Sequence, residues 1–87
     1  MTANLKAKIY ITLKKGVLDP QGKAIKSSLT HLGFSGVESV RQGKFIEVEL
    51  GDIDKKTAEN QVKEMCEKLL ANTVIENYNF EFICDQQ

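Results

Sequence analysis

The residues of this chain that could do chemistry are few and scattered. His31 is the only histidine. It falls in the last turn of a helical segment, a place the helix dipole favours for such a residue, so no catalytic role is needed to explain it. Cys66 stands beside Met65 on an apolar helical stripe, the setting of a packing thiol. Cys84 has no basic neighbour to lower its pKa and make it a nucleophile. One histidine and two distant cysteines form neither a CxxC pair nor a set of metal ligands. No Ser–His–acid set and no Gly-rich phosphate loop can be singled out. Gly33-Phe34-Ser35-Gly36 has the GxxG spacing of some nucleic-acid loops, but it lacks basic neighbours and reads better as a helix stop and turn. Tyr10 and Phe45 would share an open sheet face, as the base-stacking aromatics of RNA-binding sheets do. Glu47, Glu49 and Glu81 around them favour protein contact instead. The residues thus predict no catalytic group, no metal and no cofactor on this chain.

The elements that would position these residues follow from periodicity. Leu5, Ala7, Ile9, Ile11 and Leu13 alternate with Lys6, Lys8, Tyr10 and Thr12, the period of a half-buried strand. Asp19-Pro20 is a helix start, with Asp as N-cap and Pro at the first position. Ile25, Ser28, Leu29 and Leu32 then form one stripe, and Gly33 stops the helix. Two short strands are expected at Gly36 to Arg41 and Lys44 to Leu50, joined by a tight turn at Gln42-Gly43. A second helix should begin near Asp54 with Ala58, Val62, Met65, Cys66 and Leu69 on its apolar stripe. Glu59 with Lys63 and Glu64 with Lys68 are i,i+4 pairs on its wet side. Asn72 is read as a left-handed stop, and a last strand runs from about Val74 to Cys84. The order β-α-β-β-α-β predicts an α+β, two-layer, ferredoxin-like sandwich: a four-stranded antiparallel sheet with both helices on one face. The first strand would lie between the third and fourth. Ile9, Ile11, Ile46, Val48, Phe80 and Phe82 would face the helices. Lys6, Lys8, Tyr10, Phe45, Glu47, Asn77, Asn79 and Glu81 would stay on the open face, with Lys–Glu pairs across strands.

Composition sets the outer bounds. The 87 residues suffice for one domain, 1–87, with residues 85–87 as a loose tail. Twelve basic and twelve acidic residues balance to zero, without the cationic excess on which phosphate-backbone binding draws. No run approaches the roughly 18 apolar residues of a membrane span, and Met1 to Lys6 has no signal-peptide core. The expectation is a cytoplasmic protein with neither nucleic acid nor membrane as partner. A domain this small buries only about 60–65% of the surface of its unfolded chain, so burial against a partner would stabilise it.

Three stretches go further. Leu18-Asp19-Pro20-Gln21-Gly22, Val40-Arg41-Gln42-Gly43-Lys44 and the twelve-residue run from Met65 to Glu76, Met-Cys-Glu-Lys-Leu-Leu-Ala-Asn-Thr-Val-Ile-Glu, occur in that order. Together they make nearly the whole chain resemble the PurS-type small subunits of phosphoribosylformylglycinamidine synthase; Met1 to Asn4, the loop Gly51 to Lys56 and the tail after Ile83 depart from the pattern. The resemblance implies de novo purine synthesis, at the step converting formylglycinamide ribonucleotide (FGAR) to formylglycinamidine ribonucleotide (FGAM) with ATP and glutamine. It places ATP and Mg on a PurL-type synthetase subunit and a cysteine nucleophile on a PurQ-type glutaminase subunit. This chain would be a non-catalytic adaptor that forms a homodimer or tetramer and holds the two in register, keeping ammonia local by effective concentration.

On that reading Asp19, Gln21, Arg41, Lys44, Asn72, Thr73 and Glu76 are the candidate docking residues. Asp19 and Asn72 also have structural explanations as cap and helix stop; Arg41 and Lys44 have the least. The candidate dimer residues are Tyr10, Val37 and Phe45, for packing of open faces, and Tyr78 and Phe80 on the last strand, for pairing of edges. A small-molecule-sensing regulatory domain of the ACT type, which shares the element order, is the alternative, with only Gly16 to match its usual glycine-bearing loop. An acylphosphatase-type enzyme would need an anion-cradling loop with Arg after the first strand, where this chain has Lys14-Lys15-Gly16-Val17-Leu18.

Overall fold

The computed structural model describes residues 4–85. In chain order these form strand β1 (Asn4–Leu13), helix α1 (Pro20–His31), strand β2 (Lys44–Gly51), helix α2 (Lys55–Met65) continuing into a π turn (Cys66–Leu70), and strand β3 (Glu76–Asp85). The sheet is antiparallel with order β2-β1-β3, so the most regularly alternating strand is central, as its pattern requires. Ile9 lies opposite Ile46 on one side and Phe80 on the other; Ala7 lies opposite Val48 and Phe82. Leu5, Ala7, Ile9 and Ile11 are buried on this face under Ala58, Val62 and Cys66 of α2 and its π turn. On the other face Lys8 stands opposite Glu47 and Glu81, and Tyr10 opposite Phe45 and Asn79.

Among the described residues three strands, not four, make this sheet. Residues 36–41 form no strand, so there is no hairpin turn at Gln42-Gly43. Val37 and Val40 are three residues apart and do not share one face of an extended chain. The segment is instead held from its sides. The Arg41 guanidinium donates to the carbonyls of Leu13 at 2.7 Å and Lys14 at 3.1 Å, and the Gln42 amide donates to Asp19 Oδ2 at 2.9 Å. The first ties the segment to the exit of β1 and the second to the start of α1, away from the outer edge of β2 where a fourth strand would pair. Gly43 serves close approach: a Cβ there would collide with the Ile11 carbonyl oxygen.

The two helices do not share a face. α2 and its π turn cover the sheet, whereas α1 projects from it with its stripe largely uncovered: Ile25 is 40% exposed and Leu32 73%. The molecule is correspondingly long, 52 × 31 × 15 Å, with a radius of gyration of 16.9 Å. A compact chain of this length would have about 12 Å.

The caps follow the sequence more closely. Asp19 Oδ1 accepts from the Gly22 amide at 2.9 Å, and Asp54 accepts from both the amide and hydroxyl of Thr57. α1 ends in a Schellman turn: Gly33 has φ +102°, its amide donates to the Thr30 carbonyl, and the Phe34 amide donates to Leu29. α2 ends differently from expectation. Asn72 is not left-handed; the π turn closes with the Ala71 amide on the Cys66 carbonyl at 3.0 Å, followed by extended backbone at Ala71. The wider turn shifts the phase of the stripe, so Leu70 packs on the core and Leu69 is left exposed. β3 then begins at Glu76, after a turn over 73–75, and includes Asp85.

Candidate functional site

At one end of the sheet the exit of β1 meets the starts of α1, β2 and β3, and most of the polar residues singled out in the sequence gather there. Asp19 is the hub of one half. Its two carboxylate oxygens accept from the backbone amides of Gln42 and Gly22, which stabilise the charged form and hold its pKa below the ordinary value of 3.8. One carboxylate thus caps α1 and anchors the 41–43 segment to it.

Glu76 is the hub of the other half. Its side chain is only 11% exposed; Oε1 accepts from the Asn72 amide at 2.7 Å, and Oε2 lies 3.5 Å from Lys44 Nζ. The Asn72 side chain accepts from the Val74 amide, and its carbonyl accepts from the Ile75 and Glu76 amides, so the turn before β3 is closed from both directions. The Lys14 amide donates to the Ile75 carbonyl at 2.8 Å, fastening β1's exit to this turn.

Between the hubs lies a concavity of about 500 Å³, lined by Ile11, Asp19, Gln21, Gln42, Lys44 and Glu76 among others. Arg41 opens onto a neighbouring groove on the far side of Asp19, and Thr73 with Glu76 onto a third hollow beside Tyr78. Asp19, Gln21, Arg41, Lys44, Asn72, Thr73 and Glu76 therefore surround one end of the molecule. Arg41 and Lys44 both have structural partners, contrary to the expectation that they have the least structural task. Periodicity missed Gln42, Gly43 and Lys14 as parts of this end, because what they contribute is backbone contact between segments distant in sequence.

The aromatic candidates divide between the two faces. Tyr10 and Phe45 pair on the open face, ring centroids 5.2 Å apart, and the Tyr10 hydroxyl donates to Glu81 at 2.7 Å. That bond, closest to a carboxylate, raises the Tyr10 pKa. Tyr78 and Phe80 lie on the helix-covered face, packed against the core. The Tyr78 hydroxyl donates to Glu67 Oε2 at 2.7 Å, pushing its pKa up to about 12. Val37 belongs to the unpaired segment before Arg41. Burial raises the Cys66 thiol pKa, keeping it protonated, in keeping with a packing role. Among the described residues no group of three or more His, Cys, Asp and Glu side chains is placed to hold a metal ion.

Fold and site define a small α+β chain whose polar end is built from several loops and whose first helix lacks a cover of its own. Residues 6–83 match the family model PurS, phosphoribosylformylglycinamidine (FGAM) synthase, and the chain belongs to that family. It is 52% identical to the phosphoribosylformylglycinamidine synthase subunit PurS of Synechocystis, over 93% of this chain and 81% of that one. It is 49% identical to the corresponding subunit of Bacillus subtilis, over 87% and 89% of the two chains. Among solved structures, Methanocaldococcus jannaschii PurS, described as one of the subunits of formylglycinamide ribonucleotide amidotransferase, superposes with a TM-score of 0.83 at 39% identity, covering 94% of this chain and 99% of that one. A chain of the PurLQS structure from Thermotoga maritima superposes equally well, at 0.83 and 32% identity, covering 95% and 100%.

Proposed function

We propose that this chain is the non-catalytic adaptor subunit of a multi-subunit FGAM synthase, dimerising and holding a PurQ-type glutaminase against a PurL-type synthetase so that ammonia passes between them. The observation that carries the reading is the likeness to the chain in the Thermotoga PurLQS structure, which spans essentially the whole of both chains. The polar end supports it: its carboxylates and cations are engaged in holding loops together, the construction of a docking surface rather than of a reacting centre. On this reading ATP and Mg belong to the synthetase and the chain itself takes no cofactor. The complex works in the cytoplasm, where the pathway runs. No helix among the described residues is long and apolar enough to cross a membrane.

Size-exclusion chromatography with light scattering, on the chain alone and then with the two other subunits, tests this. A dimer that enters one larger species and restores glutamine-dependent FGAM formation is the expected result. Subunits that convert FGAR to FGAM with glutamine equally well without it would overturn the reading. Arg41→Ala/Lys44→Ala should weaken the complex, and calorimetry with unchanged affinity would remove those two from the docking surface.

A further inference from the structure

The excursion between β1 and β2 is an arm fastened at its base. Asp19 accepts from the Gly22 amide where α1 starts and from the Gln42 amide where the chain returns, so one carboxylate pins both ends together. Gly22 lets the return lie close, for a Cβ there would collide with the Val40 carbonyl oxygen. Arg41 ties the same point to the carbonyls of Leu13 and Lys14. Beyond this base α1 stands off its own sheet; Ile25 within it, and Leu32 and Phe34 just past its end, are exposed.

The sheet has the matching deficit. Its close helix is α2, which lies over β1. On the β3 side the π turn closes off the inward aromatics, and its Glu67 accepts from the Tyr78 hydroxyl. On the β2 side Ile46, Val48 and Leu50 face inward and are half-buried, with no helix packed along them among the described residues. Charge divides in the same way. Residues 14–44 carry six cations against Asp19 and Glu38, a net charge of +4, and residues 45–85 carry ten carboxylates against four lysines, a net charge of −6. The ion pairs among the described residues are Lys44–Glu76 and Lys68–Glu64, so Lys23 and Lys26 on α1 have no carboxylate partner there.

We infer that the inward side of β2 is the seat for the α1 arm of a second copy of this chain: two copies exchange arms about a two-fold axis, each laying Ile25, Leu29 and Leu32 over Ile46, Val48 and Leu50 of the other. The inference rests on the adaptor reading above, from which it takes only that the chain dimerises, and it names the surface that does so. Three features select a second copy. The uncovered stripe and the uncovered seat both belong to this one chain, so a two-fold fills each deficit twice, leaves neither open, and closes the particle. Each cationic arm meets the other copy's acidic half, so opposite charges face each other at both seats. The lengths agree as well, since the twelve residues of α1 span about 18 Å and the eight of β2 about 26 Å.

Carbodiimide coupling tests the unmodified chain. Nitrogen-15-labelled and unlabelled protein are refolded together from urea in equal amounts, coupled, digested, and searched by mass for amide links between Lys23 or Lys26 and carboxylates of residues 45–85. Links joining a labelled to an unlabelled peptide are the expected result. Links confined to peptides of one label place the arm on its own sheet and overturn the inference. Light scattering over a concentration series gives the second reading. Ile25→Asp/Leu32→Asp should raise the dimer dissociation constant at least about a hundredfold, because each seat would bury two unpaired carboxylates. Lys23→Glu/Lys26→Glu should raise it about tenfold at low salt and less at high salt. Variants that dimerise like the wild type overturn the inference and leave the adaptor reading standing; if they have also lost affinity for the synthetase or glutaminase subunit, the arm belongs to that subunit instead. A wild-type chain that stays monomeric at every concentration overturns the dimerising part of the adaptor reading, and the inference with it.

Discussion

β1 and α1 each carry an apolar pattern in the sequence, and the structure treats them in opposite ways. β1 is covered on its apolar side by α2 and flanked on both edges, so that Ala7, Ile9 and Ile11 are essentially inaccessible. α1 carries a stripe too, but Ile25 within it and Leu32 and Phe34 just past its end meet water. An apolar stripe therefore states that a surface is to be covered, and leaves open by what. In β1 the cover comes from the same chain; among the described residues α1 has none.

Mutations that place the two regions on one stability scale would break or sharpen this contrast. Ile9→Ala should cost about 2–5 kcal/mol in urea unfolding of the isolated chain, since it empties part of a fully closed core. Gly43→Ala should cost about 1–3 kcal/mol, because the added methyl meets the Ile11 carbonyl, which is backbone and cannot rotate away. Ile25→Ala should change the stability of the monomeric chain by no more than about 0.5 kcal/mol. A cost for Ile25→Ala matching that of Ile9→Ala would show α1 buried in whatever species is being unfolded, and would abolish the contrast.

Smaller effects appear at the extremes of pH. Asp19 and Asp54 both have pKa values held low by backbone amides, Gln42 first for Asp19 and Thr57 for Asp54. A depressed folded-state pKa contributes stability that is present above the unfolded value near 3.8 and lost as pH falls toward the folded one. Asp19→Asn with Asp54→Asn should therefore flatten the acid limb of the stability curve below about pH 4 and leave the neutral region's slope unchanged. Tyr78 works in the other direction: with its pKa raised to about 12, its contribution is complete below the unfolded value near 10 and lost as pH rises through 12. Glu67→Gln should move one tyrosine back toward 10 in an absorbance titration. An unchanged titration would place the Tyr78 hydroxyl away from Glu67.

Much of this architecture was legible in the sequence because the signals are local. The alternation of β1 gave its inward face, and the crossover rule for the β-α-β-β-α-β plan placed it between its neighbours. Asp19-Pro20, Asp54 and Gly33 marked helix ends through chemistry confined to one turn. Asn72 was misread because asparagine serves a left-handed stop and an Asx-type turn equally well, and only the phase change of the π turn decided between them. Residues 36–41 were misread because two valines and a Gln-Gly pair suffice to suggest a hairpin. The three-residue spacing of Val37 and Val40 spoke against it, and the partner that took the segment, β1's exit through Arg41, lies 27 and 28 residues away in sequence. The candidate docking residues were named through family likeness; that they surround one end of the sheet is a property of the fold.

By itself, then, the sequence determined the two helices and the three strands that form, most of their ends, the inward face of each of those strands and the family, because periodicity, capping and motif identity are read over one to a few turns of chain. The tertiary structure alone decided the number of strands, the exposure of α1 and the sharing of Asp19 and Glu76 between distant loops. Those outcomes depend on which of several comparable surfaces meet, and that is set by contacts between residues far apart in the chain, whose free energies no local pattern records.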